Sequence, residues 1–181
     1  MTVSLAEIKA HLRVDSSDED AYLVGLINAA TSHAEAHTGT AIAQAQSVKK
    51  LPCFGNLGLT APLISVDSVQ YIDDDGATQT LDSDVYSAIG LWTTGNPNLM
   101  PYITLAYSQD WPSTRAVPEA VTVTYTSGYT SANVPDDIRA AICLLVGHLY
   151  ENREETIVGV PITNIPMGFS ALLSPYKVWR L

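Results

Sequence analysis

Hydrophobic residues recur at helical spacing in two segments near the start of the chain. The first segment opens with Ser4 and Glu7, whose spacing is that of a capping box, and it predicts a helix over about residues 4–13. The second predicts a longer helix that begins near Asp18, where acidic residues favour the positive end of the helix dipole, and that ends at Gly39. The N-terminal part of the chain is therefore expected to be helical.

The middle of the chain has the alternation that is typical of an antiparallel sheet. Residues 41–129 are rich in Thr, Val, Tyr and Ser, with Gly and Pro between short alternating runs. The clearest hairpin covers residues 66–81, where Asp75 and Gly76 favour a tight turn. Further strands are predicted at residues 42–51, 85–91, 103–107 and 121–125. Residues 93–101 are predicted to form an exposed loop.

A third helical segment and an uncharged tail complete the chain. Pro135 opens the helix, and Asp136 and Asp137 support its positive end. Its apolar stripe is wide, so this helix is expected to be enclosed on more than one side. No charged residue lies between Thr156 and Tyr176, and the Gly and Pro residues there exclude a long helix. An apolar, irregular segment of this kind needs a covering surface.

Either of two surfaces could bury this tail: its own domain or a partner protein. Burying its large apolar side chains is worth on the order of 10 kcal/mol as an upper bound. Ordering about 25 residues of backbone costs as much or more, so the segment is expected to be fixed by a partner. We predict a docking arm at residues 156–181. Its predicted contact residues are Phe169, Leu172, Leu173, Tyr176, Lys177, Val178, Trp179 and Arg180.

Composition narrows the function classes. The 181 residues are 46% hydrophobic, which is enough for one compact domain, and 19 acidic against 9 basic residues give a net charge of −10. Phosphate backbones are bound by Lys and Arg, so a general nucleic-acid binder is not expected. Cys53 and Cys143 lie far apart without metal-site spacing, which indicates neither a disulfide framework nor a zinc site. The N-terminus does not resemble a signal peptide, and no apolar run predicts a membrane span.

Two patterns could indicate a hydrolase. His33 and His37 share a helix face and could chelate a metal ion, but Glu35 lies on the far side of the helix from both. Ser170 lacks the second glycine of a nucleophile elbow, and we interpret it as the N-cap of a short helix. We predict no catalytic residue, no metal and no cofactor. A hydrolase that uses Ser170 or the His33/His37 pair is kept as an alternative.

Acidic residues suggest two further alternatives. The cluster from Asp73 to Gly76 lacks the closing Glu of an EF-hand, so a turn explains it better than a calcium site. The acidic excess would also suit a DNA mimic that inhibits a basic partner. The few charges in the tail disfavour that hypothesis.

Three parts of the chain together resemble one known family. The N-terminal helical pair of head-tail connector (adaptor) proteins of long-tailed bacteriophages is similar to SLAEIKAHLRVD (4–15) followed by LINAA (26–30). The third helix of that family is similar to VPDDIRAAI (134–142) with GHLYENRE (147–154), and its terminal arm to ALLSPYKVWR (171–180). The order and spacing of these segments carry the resemblance, which covers about half of the chain.

The resemblance implies an α+β fold: a small helical bundle of three main helices and a short C-terminal one, with an antiparallel β-rich insertion. The helical core would span residues 1–155 and the insertion about 41–129. It also implies a non-enzymatic ring, commonly a dodecamer, in the neck of a phage virion or of a gene transfer agent, which is a domesticated phage particle. Such particles are assembled in the bacterial cytoplasm.

The implied partners are those of the particle neck. The C-terminal arm of such proteins docks on the portal protein, and the opposite side of the ring receives a head-closure or tail-terminator protein. DNA passes through the channel as non-specific cargo, and an acidic lumen would repel the phosphates that slide through it. Removing residues 166–181 is then expected to leave a folded domain that cannot join the portal.

Overall fold

A computed structural model describes residues 2–55, 57–92, 99–153 and 167–178 of the chain. It contains both helices and antiparallel sheets, so the predicted α+β class is confirmed. The chain divides into two units. Unit 1 comprises Met1–Ala43 and Tyr129–Leu181, and unit 2 comprises Gln44–Gly128. Unit 2 covers nearly the same residues as the predicted β-rich insertion.

The described part of unit 1 contains four helices, and local sequence signals set their ends. They are α1 (Leu5–Leu12), α2 (Asp20–Thr38), α3 (Asp136–Glu151) and α4 (Met167–Leu173). The Ser4 hydroxyl accepts the Glu7 backbone N–H at 3.2 Å, and the Glu7 carboxylate accepts the Ser4 backbone N–H at 2.7 Å. This confirms the predicted capping box. Gly39 ends α2 with φ 72°, as expected of a helix C-terminus.

Apolar side chains from all four helices form the core of unit 1. The largest fully buried ones are Ile8, Leu23, Ile27, Ile138, Ile142, Phe169 and Leu173. Helix α3 packs against α1, α2 and α4, so it is enclosed on more than one side, as its wide apolar stripe predicted.

Unit 2 contains two antiparallel sheets. Their strands are β1 (Ala45–Leu51), β2 (Leu63–Ile72), β3 (Thr78–Thr80), β4 (Tyr86–Ile89), β5 (Tyr102–Leu105) and β6 (Val121–Ser127). One sheet has the order β1-β6-β2-β3, and the other pairs β4 with β5. Every second residue of β6 is buried, which places Val121, Val123 and Tyr125 in the core of this unit.

The predicted hairpin at residues 66–81 is confirmed as β2 and β3. The Asp73 carboxylate accepts the Ala77 backbone N–H at 2.8 Å, and Gly76 has φ 90°, which favours glycine. Strand β2 begins at Leu63, which is earlier than predicted. Two register irregularities interrupt the alternation at its start, so the sequence pattern does not show these residues as part of the strand.

Some predictions fall on residues that the structure does not describe. They concern most of the loop at residues 93–101 and, in the tail, residues 156–166 together with Trp179 and Arg180. Within the described ranges, no helix combines the length and the apolar character needed to cross a bilayer.

Candidate interaction surface

The described part of the C-terminal tail packs on unit 1. Helix α4 contacts α2 and α3, and the 3-10 turn Ser174–Tyr176 follows it. The Phe169 ring has no exposed surface, and its centroid lies 5.3 Å from that of His33 and 5.7 Å from that of His37. Leu173 is also fully buried. These two side chains hold α4 against the helices of its own unit.

Polar contacts fix the segment that follows α4. The Val178 backbone N–H donates to the Thr38 carbonyl at 2.8 Å, at the C-terminus of α2. The Tyr176 hydroxyl donates to the Asp137 carboxylate at 3.2 Å, in the first turn of α3. Burial, together with Tyr176, raises the pKa of Tyr129 to about 12. The tail therefore contacts unit 1 from α4 to Val178.

This packing corrects the expectation that the tail needs a partner for cover. For residues 167–178 the structure shows the other alternative, packing on the chain's own domain. Of the predicted contact residues, Phe169 and Leu173 have no surface left for a partner. Four are partly exposed: Leu172, Tyr176, Lys177 and Val178. Partner contact by the tail stays a prediction.

An exposed apolar strip lies on the outer side of α4. The Met167 side chain is 88% exposed and that of Leu144, on α3, is 39% exposed. A Cβ atom added at Gly168 would lie 3.5 Å from Leu144 Cδ1, so α3 and α4 are in contact here. We call Leu144, Met167, Ala171 and Leu172 the α4 strip. Sequence reasoning missed Met167 and Leu144 as surface residues, although Leu144 was one reason for the wide stripe on α3.

A groove adjoins this strip. It has a volume of about 570 Å³ and is formed by the end of α1 with its following residue and by the second half of α3; its lining residues include His11, Arg13, Leu144 and His148. A Cβ atom added at Gly147 would lie 3.6 Å from the His11 ring. The end of α1 therefore lies directly against α3 at this position. The groove and the α4 strip share Leu144, so they form one continuous surface of unit 1.

A charged and aromatic cluster fixes the end of α3. Arg153 donates to the Glu19 carboxylate at 2.6 Å, and its guanidinium lies 4.8 Å from the Tyr22 ring centroid and 5.0 Å from that of Tyr150. The Tyr150 hydroxyl also donates to Glu19. This hydrogen bond, followed by the one from Arg153, lowers the pKa of the Glu19 carboxyl. The cluster ties the end of α3 to the start of α2.

The residues considered for hydrolysis have structural contacts. His33 and His37 pack on Phe169, and the Glu35 carboxylate accepts two backbone N–H groups, from Ile42 at 2.8 Å and from the next residue at 3.1 Å. Ser170 lies inside α4, so its predicted role as an N-cap is wrong. Phe169, which precedes Ser170, is already helical and fully buried, and a single Ser signal does not predict this.

The acidic turn that begins at Asp73 and the half-buried Cys143 both have structural surroundings. The Asp73 carboxylate accepts from Gln79 at 2.9 Å, and this bond and that from Ala77 lower its pKa. Burial, followed by the charge of Glu7, raises the pKa of the Cys143 thiol. Among the described residues, no group of three or more His, Cys, Asp or Glu side chains is arranged to hold a metal ion.

The start of the chain also matches a known family. Residues 2–61 match the phage gp6-like head-tail connector proteins. This confirms the resemblance found in the N-terminal helical pair. The connector match includes α1, α2 and β1, and with them His33, His37 and Thr38, which hold the tail.

Solved structures extend the comparison to nearly the whole chain. Three cover 99% of this chain and 91% of their own: the virion of a native gene transfer agent (GTA) particle (TM-score 0.76, 22% identity), the neck of an empty GTA particle computed with C6 symmetry (0.74, 22%) and the neck of a native GTA particle computed with C12 symmetry (0.73, 19%). The likeness establishes that this chain has the same fold as those chains. Among curated proteins, none matches this chain.

Proposed function

We propose that this chain is a structural head-tail connector in the neck of a phage or GTA-like particle, and that it acts by assembly rather than catalysis. The observation that carries the proposal is the likeness over 99% of the chain to chains of GTA neck and virion structures. The connector match over residues 2–61 supports the same function from sequence.

Copies of the chain form a dodecameric ring around a DNA channel. The similar necks were computed with C6 and C12 symmetry, which supports a cyclic assembly. A head-to-tail contact between identical copies closes into a ring when its rotation permits. The net charge of −10 suits a channel through which DNA slides as non-specific cargo, because like charges repel.

The tail of this connector docks on the portal protein, and a head-closure or tail-terminator protein binds the other side of the ring. In this proposal Phe169 and Leu173 do not touch the portal. They position the α4 strip, whose exposed apolar side chains make the contact. Exposed apolar surface next to a fixed scaffold is typical of protein interfaces.

A charge on the α4 strip tests this docking. Met167→Asp changes a side chain that is 88% exposed, so the fold of unit 1 is expected to persist. We expect attachment to portal-bearing heads to fall at least about tenfold, because docking would bury an unpaired carboxylate. Co-sedimentation with heads that lack this protein measures the attachment.

The matched control is Val48→Asp. Val48 is also an apolar side chain, is 59% exposed and lies in unit 2. It receives the same charge, and attachment is expected to equal that of the wild type. Equal attachment of the Met167→Asp protein would contradict docking through the α4 strip.

A further inference from the structure

The outer face of the β4–β5 hairpin of unit 2 is apolar at one end, where Ile89 and Tyr102 lie. Ile89 on β4 pairs with Tyr102 on β5, so their side chains point to the same side. Side chains alternate along a strand, and Ala88 and Ile103 on the other side pack in the core of the unit. An antiparallel sheet with one buried face normally has polar residues on the opposite face. On this hairpin the pair Ser87 and Thr104 follows that rule, whereas the pair Ile89 and Tyr102 on the same face is large and apolar.

The apolar surface continues on described residues next to the two paired strands. Five side chains are each between 37% and 47% exposed, and we call them the hairpin patch: Ile89, Leu91, Leu99, Met100 and Tyr102. A Cβ atom added at Gly90 would lie 3.0 Å from Pro101 Cα and 3.3 Å from the Leu99 side chain. The two arms of the hairpin therefore touch, and the patch is continuous.

Charge indicates what covers this patch. Residues 86–109 contain no charged residue, although the chain as a whole has a net charge of −10. A nucleic acid would need Lys or Arg here, and a basic protein would be attracted to acidic surface. Two copies of this acidic chain repel each other over most of their surface, so an uncharged apolar contact suits them best. The occupant that fits is a second copy.

A ring needs a second, different surface on each copy. Unit 2 has a groove of about 480 Å³ formed by Pro52, Cys53 and residues 114–118, which we call the Cys53 groove. Its lining is mainly apolar and includes the basic Arg115, which does not repel the uncharged hairpin patch. The groove lies at the end of the sheet where Leu51 pairs with Val121. The hairpin patch lies at the other end of strand β6, because Leu91 forms a β-bridge with Leu63 and Leu63 pairs with Ser127. For a strand of this length the two ends are about 20 Å apart.

We propose that the hairpin patch of one copy seats in the Cys53 groove of the next copy. This inference rests on the ring assembly proposed above and gives the β-rich insertion its role, the lateral contact between subunits.

Cysteine cross-linking tests the contact, since Cys53 is naturally exposed in the groove. In the full chain carrying Tyr102→Cys, a diamide oxidant takes two electrons from two thiols and joins Cys53 of one copy to position 102 of the next. Head-to-tail joining gives a ladder of covalent oligomers on a non-reducing gel. We expect at least about ten times more oligomer than from the control Val48→Cys, which lies outside both surfaces.

The ladder must also depend on Cys53. Adding Cys53→Ser to the Tyr102→Cys protein is expected to abolish it. The reaction is run on concentrated purified protein and on protein attached to portal-bearing heads, and a Cys53-dependent ladder in either preparation supports the proposal. Dimers that persist without Cys53, or no oligomers in either preparation, would overturn it. Attachment of the wild-type protein to portal-bearing heads decides the connector function separately, because it needs no cross-link.

Discussion

Phe169 lies at the point where the C-terminal tail meets two histidines of α2. Its ring is fully buried and contacts both imidazoles, so the position of α4 depends on a single aromatic side chain and on Leu173 one turn later. Sequence reasoning selected both residues as important, but assigned them to a partner contact. The sequence does not distinguish packing on the chain's own domain from packing on a partner, because a buried residue has the same apolar character in a core and in an interface.

Removing the Phe169 ring is expected to destabilise unit 1. Phe169→Ala leaves a cavity in a packed core, which costs about 3–5 kcal/mol. Urea unfolding followed by circular dichroism measures the free energy of unfolding. Met167→Ala on the same helix is the matched control and is expected to change it by less than about 0.5 kcal/mol, because Met167 is exposed. Equal losses in both variants would contradict the anchoring role of Phe169.

Acid is expected to weaken the packing around Phe169. Burial, followed by the charges of Lys177 and His33, lowers the pKa of His37 below its usual 6.5. The unfolded chain therefore binds a proton more readily than the folded one. The stability that neutral His37 contributes is fully present above pH 6.5 and is lost as the pH falls below it.

Thermal unfolding between pH 5 and pH 7 measures this loss as a fall in the melting temperature. In a His37→Gln protein the fall is expected to be smaller, since that side chain does not titrate. The same fall in both proteins would assign the acid sensitivity to other groups. The pKa values of the Glu7, Asp67 and Asp73 carboxyl groups are also lowered, from the usual 4.5 for Glu and 3.8 for Asp. The stability that these carboxylates contribute is therefore lost at a lower pH than that of His37.

At the level of elements, local signals predicted the helices better than the strands. Ser4 with Glu7 and Gly39 mark helix ends through backbone contacts within a few residues, so the sequence contains the whole signal. The start of β2 depends on pairing with the distant strand β6 across two irregularities, which no local pattern contains. Ser170 was misplaced for a similar reason, because the helical segment around it includes Phe169 and Leu173, which pack on distant parts of unit 1.

The structure changes the expected effect of deleting the tail. A protein ending at residue 165 would lose Phe169 and Leu173 from the core of unit 1. We expect a melting temperature lower by about 4 °C or more, since each kcal/mol shifts it by roughly 2–8 °C in domains of this size range. Calorimetry of the truncated and full chains measures it, and an unchanged melting temperature would contradict the packing of α4 on its own unit.

At the level of the molecule, the sequence predicted a helical part interrupted by a β-rich insertion, and the structure divides at nearly the same residues. The α4 strip was only partly predicted, because Leu144 lies beside Gly168 of α4 only through the packing of α3 on α4. The hairpin patch shows the same limit, since Leu91 and Leu99 are separated by seven residues in the sequence. Both surfaces are exposed and apolar on an acidic chain, which suits a protein that acts by assembly.

Cryo-electron microscopy of the full chain mixed with portal-bearing heads tests the connector function most directly. We expect a closed ring of this fold at the portal, with the α4 strip facing the portal protein and the β4–β5 hairpin between neighbouring copies. Heads whose portals stay bare at saturating protein, or density for this fold away from the neck, would contradict the account.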